Sequence, residues 1–138
     1  MISEKLQDAI NEQISRELWS ANLYLSMAFY FDMEGFNGFA SWMKKQSQEE
    51  TEHAHTMADY LIKRGGKARV GQVDAVPEVW KSPLEVFEQV YEHECKVSRW
   101  IDDLLDLAIA ENDKATQDFL WTFVREQVEE EATASGIV

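Results

Sequence analysis

Four stretches of this chain carry an apolar stripe at three- and four-residue spacing, and a glutamate breaks each stripe. On the first, Leu6, Ile10, Ile14, Ala21, Tyr24, Ala28 and Phe31 share a face with Glu17. On the second, Phe39, Met43, Gln46, Met57 and Tyr60 accompany Glu50 and His53. Leu84, Phe87, Tyr91, Ser98, Ile101, Leu105 and Ala108 flank Glu94 on the third. On the fourth, Leu120, Phe123, Gln127, Ala134 and Ile137 flank Glu130. The period predicts four amphipathic helices that bury these faces. A carboxylate on a buried face costs several kcal/mol unless it is protonated or paired. Cations shared among the four carboxylates remove that conflict.

Local signals delimit the helices. Ser3 is a cap for a helix reaching about Phe31, and Asp32 to Gly38 reads as a glycine turn. The second helix runs from about Phe39 to Arg64 and stops at Gly65-Gly66. A connection of roughly 16 residues, long for its class, leads to Ser82 as cap and Pro83 in the first turn of the third helix. That helix reaches about Glu111, and Asn112-Asp113 opens the fourth. Helices of about 25 to 29 residues span on the order of 40 Å. Two short connections flanking one long one predict an all-α, single-domain four-helix bundle across residues 1–138, with one crossover between helices two and three.

With 26 acidic residues against 13 basic ones, the net charge is −13. Such a surface repels nucleic acid and anionic lipid and concentrates cations. The one cysteine, Cys95, allows no intramolecular disulfide and no CxxC pair. No basic-then-apolar leader opens the sequence and no apolar run reaches about 18 residues, so a cytoplasmic protein outside the membrane is expected.

The sharpest local pattern is Glu50-Thr51-Glu52-His53, an E-x-x-H spacing that puts a carboxylate and an imidazole on one helix face. Three residues after Glu130 stands Thr133, so the fourth helix lacks a second E-x-x-H; Gln127 lies one turn before Glu130 instead. Two unequal metal positions follow, one with Glu17, Glu50 and His53, the other with Glu50, Glu94 and Glu130. Oxygen donors with a single imidazole suit iron or manganese better than zinc.

Asn11-Glu12-Gln13, Glu17-Leu18-Trp19-Ser20, Leu23-Tyr24-Leu25, Gly38-Phe39-Ala40, Trp42-Met43, Gln48-Glu49-Glu50 with His53-Ala54, Glu92-His93-Glu94 and Glu126 through Glu131 stand in an order and spacing that resembles the non-haem bacterial and archaeal ferritins. The resemblance covers essentially the whole chain. It implies that Glu17, Glu50, His53, Glu94, Gln127 and Glu130 form a di-iron ferroxidase centre. It also implies a third iron site from Glu49, Glu126 and Glu129 with Glu130 shared, and a Tyr24 that donates an electron. Ferrous iron and dioxygen are the implied substrates, and ferric oxide is deposited inside a homo-oligomeric shell of twenty-four subunits. Thr51 and Glu52 occupy the region where haem-containing relatives place a ligating Met, so no haem is expected.

Two features depart from the family. The sequence stops at Gly136-Ile137-Val138 where members add a short fifth helix that lines a channel, so a leakier or less stable assembly is expected. Trp121-Thr122 places the tryptophan one position early, a rotation of about 100° around the helix. His55 and His93 are expected at the surface, and Cys95 as a buried packing thiol. A rubrerythrin-like di-iron oxidase or peroxidase is an alternative, although its Cys-rich segment and second E-x-x-H are missing. A metal-free structural bundle is another, and it would leave four glutamates facing an apolar core.

Overall fold

Helix signals in the sequence become helix ends in the structure, a computed structural model that describes residues 1–137. The elements are α1 Glu4–Met33, α2 Asn37–Lys63, α3 Pro83–Ala110 and α4 Lys114–Ile137. No strand occurs among the described residues. The chain falls into two compact units, Met1–Trp80 and a second that begins at Lys81.

In the first unit, Ser3 caps α1 by accepting the Leu6 N–H at 3.2 Å. The α1 terminus is a Schellman motif: Gly35 takes φ +84°, the Phe36 N–H donates to Phe31 O at 2.8 Å, and the Gly35 N–H donates to Asp32 O at 3.2 Å. Phe36 then meets Phe31 edge-on, the apolar contact that usually seals this motif. Gly35 therefore makes the turn, whereas Gly38 lies inside α2, which starts two residues earlier than Phe39. The same motif ends α2 at Gly65-Gly66, with Gly65 at φ +79°. α2 returns antiparallel to α1: Lys44 pairs with Asp32, Ser47 Oγ donates to Ala21 O, and the Ile2 N–H donates to Arg64 O. The α1 stripe is buried throughout as expected. On α2 the buried line is Ala40, Met43, Ser47, Glu50, Ala54, Met57 and Leu61, and Phe39 is exposed.

The long connection is laid along α1. Its backbone has no strand to pair with, so α1 side chains satisfy it. Gln7 Oε1 accepts from the Lys67 N–H at 2.9 Å. Asn11 donates to Lys67 O at 2.8 Å and accepts from the Arg69 N–H at 2.9 Å. Further along, Trp19 Nε1 donates to Ala75 O, Ser26 Oγ donates to Pro77 O, and Trp80 packs edge-on against Tyr30. Partners advance from Gln7 to Tyr30, about 35 Å at helical rise, so the connection runs the length of α1. That is the crossover the loop length predicted.

In the second unit, Ser82 accepts the Glu85 N–H at 3.2 Å, with Pro83 opening α3. Asn112 at φ 55° ends that helix in a third Schellman motif, with the Asp113 N–H donating to Ala108 O at 3.0 Å. Asp113 Oδ1 then caps α4 through the Thr116 N–H at 3.0 Å. An L residue other than Asn pays about 1–2 kcal/mol in the left-handed region. Asn112→Ala should therefore lower stability by about 1 kcal/mol and Asn112→Gly should not, as read by urea denaturation.

The buried face of α3 is rotated from the expected stripe. Val86, Val90, His93 and Val97 are buried, whereas Leu84 and Tyr91 are exposed and Ser98 is half-buried. His93 is thus not a surface histidine: it is buried and meets Trp100 edge-on, because valines rather than Leu84 and Tyr91 define the inner side. His55 is exposed as expected. Cys95 is half-buried rather than buried; burial, then Glu131, pushes its thiol up, which keeps it protonated and unreactive. On α4, Ile137 and Trp121 are exposed.

Candidate metal centre

Within the first unit, Glu17, Glu50 and His53 converge. α1 brings Glu17 inward at the middle of its stripe, and α2 brings Glu50 and His53, one turn apart on the same face. Each offers a ligand atom within 4.8 Å of the others. His53 Nδ1 stands 3.4 Å from Glu50 Oε2 and 3.7 Å from Glu17 Oε2. Two donors each about 2.1 Å from one ion lie roughly 3.0–3.4 Å apart, so small adjustments bring these atoms onto one coordination sphere.

Glu17 is 1% exposed and Glu50 3%. One Glu17 oxygen, Oε1, accepts from Gln13 Nε2 at 3.1 Å, while Oε2 has no hydrogen-bond partner. Burial works to raise the Glu17 pKa; the neighbouring Glu50 and His53, with the Gln13 amide, outweigh it and hold the group below the usual carboxylate value. An ionised, buried carboxylate with one bare oxygen calls for a positive partner, and the donor set fits a hard or borderline divalent cation.

Within the second unit, Glu94 is buried at 2% exposure and Gln127 at 6%. Gln127 Nε2 donates to Glu94 Oε2 at 3.1 Å, with Glu94 O and Ser98 Oγ both at 3.3 Å. Ser98 Oγ lies 3.1 Å from both Glu94 O and Glu131 Oε2, and its single proton serves one at a time. The amide N–H of Gln127, not its carbonyl, is thus the group engaged with Glu94. Glu130 is half-buried rather than buried. The α4 interior follows Thr116, Leu120, Phe123, Gln127 and Ala134, and residue 130 falls about 50° off the mean direction of that line. Of the remaining carboxylates, Glu49 and Glu126 are half-buried and Glu129 is exposed. Tyr24 is buried on the Glu17 face, two turns further along α1.

Gln13 had no role in the sequence beyond its place in Asn11-Glu12-Gln13. It is fully buried one turn before Glu17 and holds it. The signal was a polar side chain four residues from a core glutamate, hidden because Ile14 beside it completed the apolar stripe.

Residues 7–138 match the family described as Ferritin-like domain. A bacterial non-haem ferritin of Bacteroides fragilis is 72% identical over 138 residues, covering 100% of this chain and 87% of that protein. A bacterial non-haem ferritin of Campylobacter jejuni is 35% identical over 138 residues, with 100% and 83% covered. Among solved structures, an open pore ferritin from Archaeoglobus fulgidus superposes with a TM-score of 0.97 at 50% identity, covering 99% of this chain and 85% of that one. That likeness carries the all-α, ferritin-like four-helix-bundle fold expected from the stripes. No helix among the described residues is long and apolar enough to cross a membrane. This chain belongs to the ferritin family of iron-storage proteins.

Proposed function

We propose that this protein oxidises ferrous iron with dioxygen at a carboxylate-bridged di-iron centre and stores the product as ferric oxide. The buried group of Glu17, Glu50 and His53, with a bare Glu17 oxygen, is the observation that carries the reading. Iron is the substrate here. Glu17, Glu50 and His53 hold one ferrous ion, and Glu50, Glu94 and Glu130 hold the second. Gln127 orients Glu94 through its amide, and Glu49, Glu126, Glu129 and Glu130 take a third ion. Two ferrous ions give up one electron each, and dioxygen takes both with two protons to become hydrogen peroxide. Tyr24, losing its phenol hydrogen as a proton and an electron, supplies a further electron towards reduction of that peroxide. Hydrolysis of the ferric product releases protons and favours mineral.

The same proposal takes residues 1–138 as one ferritin-like domain in the cytoplasm, assembled as a homo-oligomeric cage of twenty-four subunits and carrying no haem. The net charge of −13 supports it, because an acidic wall concentrates ferrous iron and repels nucleic acid. Mixed with ferrous iron in air, the protein should show an oxidation burst proportional to subunit concentration. A rate no faster than buffer would overturn the reading. In a pyridine haemochrome assay the purified protein should give no band; stoichiometric haem would contradict the cofactor assignment.

A further inference from the structure

Gln13 contributes no ligand atom to the acidic group, yet its side chain is wholly buried beside it. Its Nε2 donates to Glu17 Oε1 at 3.1 Å, and its own Oε1 is buried without a partner. The amide cannot be turned over, because that would set a carbonyl oxygen against the carboxylate. The orientation is therefore dictated by Glu17 alone, at the expense of an unsatisfied acceptor. A residue retained for packing would have no reason to leave that oxygen bare, since an apolar side chain would fill the same space.

With Oε1 tied down, Glu17 cannot spin about its terminal bond, and Oε2 remains the bare atom facing His53 at 3.7 Å. The second unit uses the same device independently: the Gln127 amide holds Glu94 Oε2 at 3.1 Å. We infer that Gln13 is the positioning residue for Glu17, fixing one carboxylate oxygen by hydrogen bonding so that the other is presented to the divalent cation. The inference rests on the metal-centre reading above. Partners that orient a metal ligand are worth about 10- to 100-fold in affinity.

Cobalt(II) is a suitable probe, because its visible bands report donor geometry and it does not need dioxygen. Titration of the intact protein should give a carboxylate–imidazole cobalt spectrum that Glu17→Gln weakens. Gln13→Leu should weaken cobalt binding by about 10- to 100-fold and alter the bands. In the Glu17→Gln background the same change should have little further effect, since Gln13 acts through Glu17. Gln13→Met, unbranched and of similar length, repeats the test should Gln13→Leu not fold. Cobalt affinity and bands within about twofold of wild type in the folded Gln13 variants, with only thermal stability lowered, would overturn the positioning role and leave the centre standing. An undiminished Gln13 effect in the Glu17→Gln background would overturn it equally. A wild-type protein whose cobalt binding ignores Glu17→Gln would sink the centre and the inference together.

Discussion

Glu50→Ala should slow the fast phase of ferrous oxidation by more than about 100-fold, beyond what the loss of an orienting partner alone produces. Glu50 is buried, lies 3.4 Å from His53 Nδ1 and belongs to both proposed metal positions. Losing it removes a donor from each position at once, whereas loss of Glu17 would deplete one. The helices should survive the change, because Glu50 caps nothing and the apolar line of α2 continues on both sides through Met43 and Met57. Stopped-flow absorbance after mixing with ferrous iron reads the rate, and far-ultraviolet circular dichroism reads the fold. An unchanged fast phase in a folded variant would remove Glu50 from the centre.

Asn11→Ala should unmoor the crossover from α1. Asn11 is buried and makes two bonds to the connection, one as donor to Lys67 O and one as acceptor from the Arg69 N–H. At about 1 kcal/mol net for each bond, the loss is about 2 kcal/mol. For a chain of this size that lowers the melting temperature by about 4–8 °C. Asn11→Asp is the sharper variant: it keeps the acceptor for Arg69 but turns an anionic oxygen toward the Lys67 carbonyl, so it should not restore wild-type stability. Proteolysis within residues 67–80 should quicken in both variants, and a melting temperature within about 1 °C of wild type for Asn11→Ala would remove Asn11 as the anchor.

The helix ends and the carboxylate–imidazole pair of α2 were legible in the sequence because their causes are local. Ser3, Ser82, Gly35 and Gly65 act within a turn of their own positions, and the E-x-x-H spacing puts Glu50 and His53 on one face whatever packs there. Even the length of the crossover predicted its path, since a chain that must travel the length of a helix needs that many residues. What the sequence left open depends on partners distant along the chain. The α3 interior was set by Val86, Val90 and Val97 against a stripe through Leu84 and Tyr91 that fits the period nearly as well. His93 was consequently buried, and Glu130 came to rest at the edge of the α4 interior. Asn11 and Gln13 look alike in sequence, as polar residues in a helical run. Only tertiary packing turned one toward the crossover backbone and the other toward Glu17, because a buried hydrogen bond is defined by where its partner is placed.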